Sequence, residues 1–115
     1  MRAATVRSFA MSLPDAEERE TWGSATFRVR SKIFVMFDEP ERHLWIKSTH
    51  HEQQALIEMN PEAFFFPSYV GSKGWVGVTI AKADRGEVEE LITEAWRMTA
   101  LKRMVADFDA EQEIA

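Results

Sequence analysis

The side chains best suited to hold a ligand are a set of cations and the aromatics near them. Arg28, Arg30 and Lys32 fall at alternate positions, Lys47 follows a later apolar run, and Lys73 directly precedes Gly74-Trp75. Lysine and arginine displace the counterions condensed on a nucleic-acid backbone, and a neighbouring aromatic can stack on a base. If residues 25–37 form a hairpin, Arg28 and Arg30 share a sheet face and Lys32 sits at the tip with Ser31. Lys73 and Trp75 then occupy a second loop. Two basic tips of this kind can straddle a phosphate backbone. An ordinary solvated sheet face, balanced by Asp38, Glu39 and Glu41, accounts for the same charges.

A second set is aromatic: Trp45, Phe64, Phe65, Phe66, Tyr69 and Trp75. Most complete a small core, where packing dominates the energetics of buried rings. Three consecutive aromatics cannot all face inward on a regular element. At least one must meet solvent, a pocket or another copy of the chain. Phe65, Tyr69 and Trp75 would line an apolar ligand pocket, the phenol and indole serving as polar handles. The same rings, if exposed, would instead form a homodimer interface.

Other candidates are poorer. His50-His51-Glu52 invites a metal, but adjacent histidines do not converge as residues at i and i+4 do. Glu52 also stands three residues after Thr49, the capping-box spacing. Glu17, Glu18 and Glu20 are a charge run, without the contrasting environments that separate the pKa values of a catalytic pair. There is no P-loop, GxGxxG, GxSxG or HExxH pattern. No catalytic residue, metal or cofactor is assigned, and the chain reads as non-enzymatic.

The elements that must position these residues follow from periodicity. Val6, Phe9, Ala10 and Leu13 make one helix face, ended by Pro14-Asp15. Glu17 to Glu20 read as a polar connection to Gly23. Phe27 and Val29 alternate with Thr26, Arg28 and Arg30, a half-buried strand. Ile33 to Phe37 suits a central strand, joined by a Ser31-Lys32 turn. Asp38 to Glu41 is a turn, and Leu44 to Lys47 is a third strand. Thr49 caps a helix with Ala55, Leu56 and Met59 on its apolar side. After an aromatic loop, Trp75 to Ile80 is a strand. Asp84 and Glu87 begin the last helix, with Val88, Leu91, Ile92, Ala95, Trp96 and Thr99 on one stripe and Lys102-Arg103 near its end. An acidic tail, 107–115, is expected to fray. Arg97 pairs with Glu94 or, with Arg103, extends a positive patch. Strands and helices are segregated, so the fold class is α+β, an antiparallel sheet with helices packed on one face.

Size and composition fit one domain spanning residues 1–115. The chain has 115 residues, 45% of them hydrophobic, and no cysteine. That length supports one continuous core without staples. The lack of cysteine excludes disulfides and thiolate chemistry and suits a cytoplasmic protein. No apolar run is long enough to span a membrane. The net charge of −5 argues against a wholly basic nucleic-acid coat but leaves room for a local basic face.

Several stretches together resemble the MmcQ/YjbR family. They are Ser12-Leu13-Pro14-Asp15-Ala16-Glu17-Glu18, Phe27-Arg28-Val29-Arg30-Ser31-Lys32-Ile33-Phe34, Pro61-Glu62-Ala63-Phe64, Gly71-Ser72-Lys73-Gly74-Trp75-Val76, and Ala95-Trp96-Arg97 with Ala100-Leu101-Lys102-Arg103. The resemblance covers roughly residues 4–105. It implies a frataxin-like (CyaY-like) α/β sandwich and brings a proposed "double wing" mode of DNA binding. One namesake, associated with mitomycin biosynthesis, suggests small-molecule resistance. The chain departs from the family pattern at Ser24-Ala25-Thr26, where His-Pro-Asp is frequent, and at Arg30-Ser31, where Gly-Gly is frequent.

The expectations are therefore DNA as partner, held by Arg28, Arg30, Lys32 and Lys73 with Trp75 beside them, and no membrane. A small apolar ligand held by Phe65, Tyr69 and Trp75 is the alternative. The chain would be a monomer or a homodimer.

Overall fold

The structure, a computed structural model, describes residues 1–38 and 41–114. Glu39, one of the acids expected to balance the basic face, lies outside the described residues.

The first helix, α1 (Ala3–Ser12), buries Val6 and Ala10, with Leu13 just beyond its end. Pro14 and Asp15 stop it, and Asp15 takes a positive φ of 56°. The polar run that follows is a strand, β1 (Glu17–Thr21), where a connection was expected. It is an edge strand exposed on most of its length. Alternation is therefore missing from its sequence, and ladder bonds to β2 (Ser24–Val29) hold it.

β2 continues into β3 (Lys32–Asp38), and β4 (His43–Ile46) completes a meander. The β2–β3 register skips Phe34: Phe27 pairs with Val35, and Arg28 pairs with Ile33. That bulge lets Phe34 and Val35, consecutive in sequence, both be fully buried. Helix α2 (His50–Met59) starts at Thr49, whose side chain accepts a hydrogen bond from the Glu52 amide at 3.2 Å. Its inward side is Gln53, Leu56 and the half-buried Ile57. Ala55 and Met59, expected inside, are exposed.

A two-residue strand, β5 (Phe64–Phe65), and β6 (Val76–Thr79) finish the sheet. The order is β1-β2-β3-β4-β6-β5, every pairing antiparallel. Helix α3 (Arg85–Thr99) packs across β3 and β4 with α1 beside it. Its N-cap Asp84 accepts from the Glu87 amide at 3.0 Å. Val88, Leu91, Ile92, Ala95, Trp96 and Thr99 are all buried on one stripe, and the Trp96 indole donates to the Pro14 carbonyl at 2.9 Å.

The last helix ends at Thr99, and a separate helix, α4 (Lys102–Ile114), follows. The tail expected to fray is helical through Ile114, and Lys102-Arg103 open this helix rather than close the previous one. Met104, Val105 and Phe108 lean on the core, with the Phe108 ring 5.0 Å from that of Trp96. Arg97 links α3 to α4 by donating to Asp109 at 2.7 Å, and it also pairs with Glu94. The Asp109 hydrogen bond raises the pKa of the Arg97 guanidinium above its usual value.

The fold class is thus α+β, with the helical layer on one sheet face. Thr26, Met36, Trp45, Gly77 and Phe65 form a cross-strand row on the opposite face. Among the described residues no helix is long and apolar enough to cross a membrane.

Candidate nucleic-acid interface

Strand direction decides where the cations lie. β2 ends, β3 begins, β4 ends and β6 begins at the same end of the sheet, because Val29 pairs with Lys32, Val35 with Ile46, and Ile46 with Val76. Lys32 opens β3, Lys47 follows β4, and Lys73 precedes β6. These three therefore cross one sheet end in order. Lys32 stands on β3 and Lys73 in a short 3-10 turn (Gly71–Lys73) that leads into β6, with β4 between those two strands. The Lys47 amide donates to the Phe34 carbonyl at 3.0 Å, fixing the middle member.

The β2–β3 turn is Arg30-Ser31, one residue earlier than expected, and Lys32 belongs to the strand. Both turn residues have positive φ, 56° and 64°. This is the left-handed geometry that a two-residue hairpin demands and glycine usually fills. Arg28 and Arg30 consequently do not share a face. Arg28 donates to Thr26 Oγ1, Thr21 Oγ1 and the Ser31 carbonyl. Its guanidinium is spent on bracing its own hairpin. Arg30 is exposed and leans toward the Thr99 carbonyl at 3.4 Å, a long contact. That contact brings the α3–α4 junction, with exposed Lys102 and Arg103, to the same end.

The second loop is held from beneath. Gln53, almost fully buried, donates to the carbonyls of Gly71 at 2.8 Å and Trp75 at 2.6 Å. His50 Nε2 meets the Ser72 carbonyl at 2.8 Å. Gly74 has φ 95°, and a Cβ there would lie 2.8 Å from the His50 amide nitrogen. Only glycine combines that turn with so close an approach. The backbone on either side of Lys73 is thereby held against residues 48–50, at the β4–α2 connection.

The aromatics divide differently from expectation. Trp75 is half-buried, its carbonyl engaged by Gln53. Phe65 lies over Gly77 and edge-on to His43, with ring centroids 5.1 Å apart. Tyr69 is 90% exposed with φ 62°, and Phe66 is 61% exposed. Because β5 runs toward the start of β6, residues 66–69 emerge at the cation-bearing end. Among the described residues, none of the ring pairs in contact joins Phe65, Tyr69 and Trp75. A cavity of about 820 Å³ lies elsewhere, lined by residues including Phe9, Leu13, Glu90 and Phe108. The sequence reading passed over Trp22, fully exposed with φ 50° at the β1–β2 tip. The Trp-Gly pair between two polar runs was its signal.

Among the described residues, ion pairs engage Arg7, Arg19, Arg85 and Arg97, and His43 Nδ1 lies 3.7 Å from Asp38. Arg30, Lys32, Lys47, Lys73, Lys102 and Arg103 take part in none of these pairs; nor do Arg2, Arg42 and Lys82, which lie toward the opposite end of the sheet. Asp38 lies beside His43 at the far end, and Glu41 pairs with Arg7. Asp15 and Glu17 lie in a shallow hollow with Arg30 and Leu101, Glu17 pairs with Arg19, and Glu52 stands in the first turn of α2, soon after Lys47. Among the described residues, no group of three His, Asp or Glu side chains is arranged to hold a metal.

Fold and site together define a small α+β sandwich with a one-sided helical layer and a basic sheet end outside the ion pairs of the described residues. The chain belongs to the YjbR family, whose model matches residues 11–98. A solved structure similar to it is that of Deinococcus radiodurans protein DR2400, with the family-model domain DUF419. The TM-score is 0.73 at 20% identity, over 81% of this chain and 74% of that one. That likeness is one of fold. No match was found among curated proteins.

Proposed function

We propose that this protein is a non-enzymatic DNA-binding protein that grips phosphates with the basic end of its sheet. One observation carries the reading. Arg30, Lys32, Lys47 and Lys73 gather at one sheet end outside every ion pair seen, in a chain of net charge −5. Their distinction is their shared place along one sheet end, since Arg2, Arg42 and Lys82 are outside the ion pairs too. Glu41, one of the acids that could have balanced them, pairs with Arg7 at the opposite end. The positive φ of Arg30 and Ser31 adds support, since backbone strain of this kind concentrates at functional sites.

Arg28 contributes by rigidity, not contact, and Trp75 by its carbonyl. The contacting cations are Arg30, Lys32, Lys47 and Lys73, with Lys102 and Arg103 flanking them. Affinity should be modest, in the micromolar range typical of phosphate-only binding, and steeply salt-dependent. The double variant Lys32→Ala/Lys73→Ala should lower the slope of log K against log salt by about 2, one unit per lost phosphate contact. Anisotropy of a labelled duplex across a salt series reads this directly, and an unaltered slope would remove both lysines from the site.

A further inference from the structure

We infer that the strand gripped at this end is single-stranded nucleic acid, with Tyr69 and Phe66 stacking on its bases. The inference rests on the basic end being a phosphate-binding site and adds what that site reads.

Phosphate contact explains the cations but gives no work to the aromatics. Tyr69 is 90% exposed and Phe66 is 61% exposed, within eight residues of chain that also carry Lys73. Neither ring is merely left over on a loose loop. The Phe66 ring lies against Gly71, where a Cβ would come within 2.5 Å of it. The Tyr69 carbonyl accepts from Ser72 Oγ at 3.2 Å, and the Val70 amide donates to the Ser68 carbonyl at 2.6 Å. Tyr69 is held at φ 62°, a conformation rare for a bulky residue. The loop holds a strained backbone to present a phenol ring to solvent, four residues before Lys73.

A duplex hides its base faces inside the stack, so two exposed rings gain nothing from it beyond edge contacts. An unpaired strand exposes those faces. Aromatic platforms flanked by cations are the usual means of holding it, with little sequence preference. Lys32, Lys47 and Lys73, in order across the sheet end, would follow the backbone while the rings take successive bases. The sugar is not specified by this chemistry, so DNA and RNA strands should both bind.

The test uses the full chain and fluorescein-labelled probes of one mixed sequence: a DNA strand, the matching RNA strand and the DNA duplex. At low salt, either strand should bind about tenfold or more tighter than the duplex. Tyr69→Asn, which tolerates the left-handed backbone, should weaken strand binding about tenfold and leave duplex binding unchanged. Tyr69→Trp should restore strand binding. A thermal melt confirms that each variant is folded. Duplex binding as tight as strand binding, or strand binding indifferent to Tyr69→Asn, would overturn the inference. In either of those cases, loss of affinity in Lys32→Ala/Lys73→Ala leaves the basic end standing as a phosphate site. Absence of binding to all three probes defeats both.

Discussion

Arg30 shows the conflict between stability and use most plainly. Its φ of 56°, with 64° at Ser31, costs about 1 kcal/mol or more per residue against glycine. Arg30→Gly should therefore stabilise the fold by about 1 kcal/mol in urea denaturation while weakening strand binding. Stabilisation with undiminished binding would mean that the guanidinium does not touch the ligand. Neither turn residue is a glycine, and this explains why the hairpin was read one residue late. Without Gly or Asn to mark positive φ, the alternation of Phe27, Val29 and Ile33 left the tip ambiguous. Gly74 is the converse case, a glycine standing where the backbone needs one. Gly74→Ala faces both φ 95° and a 2.8 Å approach to the His50 amide. It should cost about 2–3 kcal/mol, measurable as a fall in the urea midpoint.

At the scale of elements, α2 matters as the support of the binding loop. Its position was legible from the Thr49 cap, but its buried side was not. Ala55 and Met59 are apolar yet exposed, while polar Gln53 is inside because two loop carbonyls need its amide. Gln53→Leu keeps the volume and strands both carbonyls, so it should destabilise by about 2 kcal/mol. It should also weaken binding more than its distance from solvent suggests, because Lys73 is held through that loop. Affinity unchanged at full folding would show that the loop holds its shape without Gln53. β1 escaped detection because an exposed edge strand has no inward face to impose a period of two. The α3 stripe was read in full, since six buried residues at helical spacing leave little choice. α4 was misread because its acidic composition outweighs Met104, Val105 and Phe108. Phe108→Ala removes the ring packed on Trp96 and should cost about 2 kcal/mol, seen as a lower melting temperature.

Over the whole molecule, an acidic chain carries Arg30, Lys32, Lys47 and Lys73 at one sheet end outside the ion pairs of the described residues, while Arg2, Arg42 and Lys82, also outside them, lie toward the other end. That placement depends on strand direction and loop docking. Sequence supplied Arg30, Lys32, Lys47 and Lys73 as candidates but could not show that Arg28 turns inward to its own hairpin. It also could not show that the α3–α4 junction brings Lys102 and Arg103 to the same end. The net charge of −5 repels a polyanion at long range, and salt screens that repulsion, so the loss of affinity with salt should come from the phosphate contacts at the basic end alone.

The most direct measurement is the affinity for a labelled DNA strand at about 50 and about 200 mM salt, for the wild type and Lys32→Ala/Lys73→Ala. With about four phosphate contacts, wild-type affinity should fall roughly 50-fold between these salts, and the variant's should fall markedly less. Absence of binding at the lower salt, or a salt dependence that the two substitutions leave unchanged, would contradict the account.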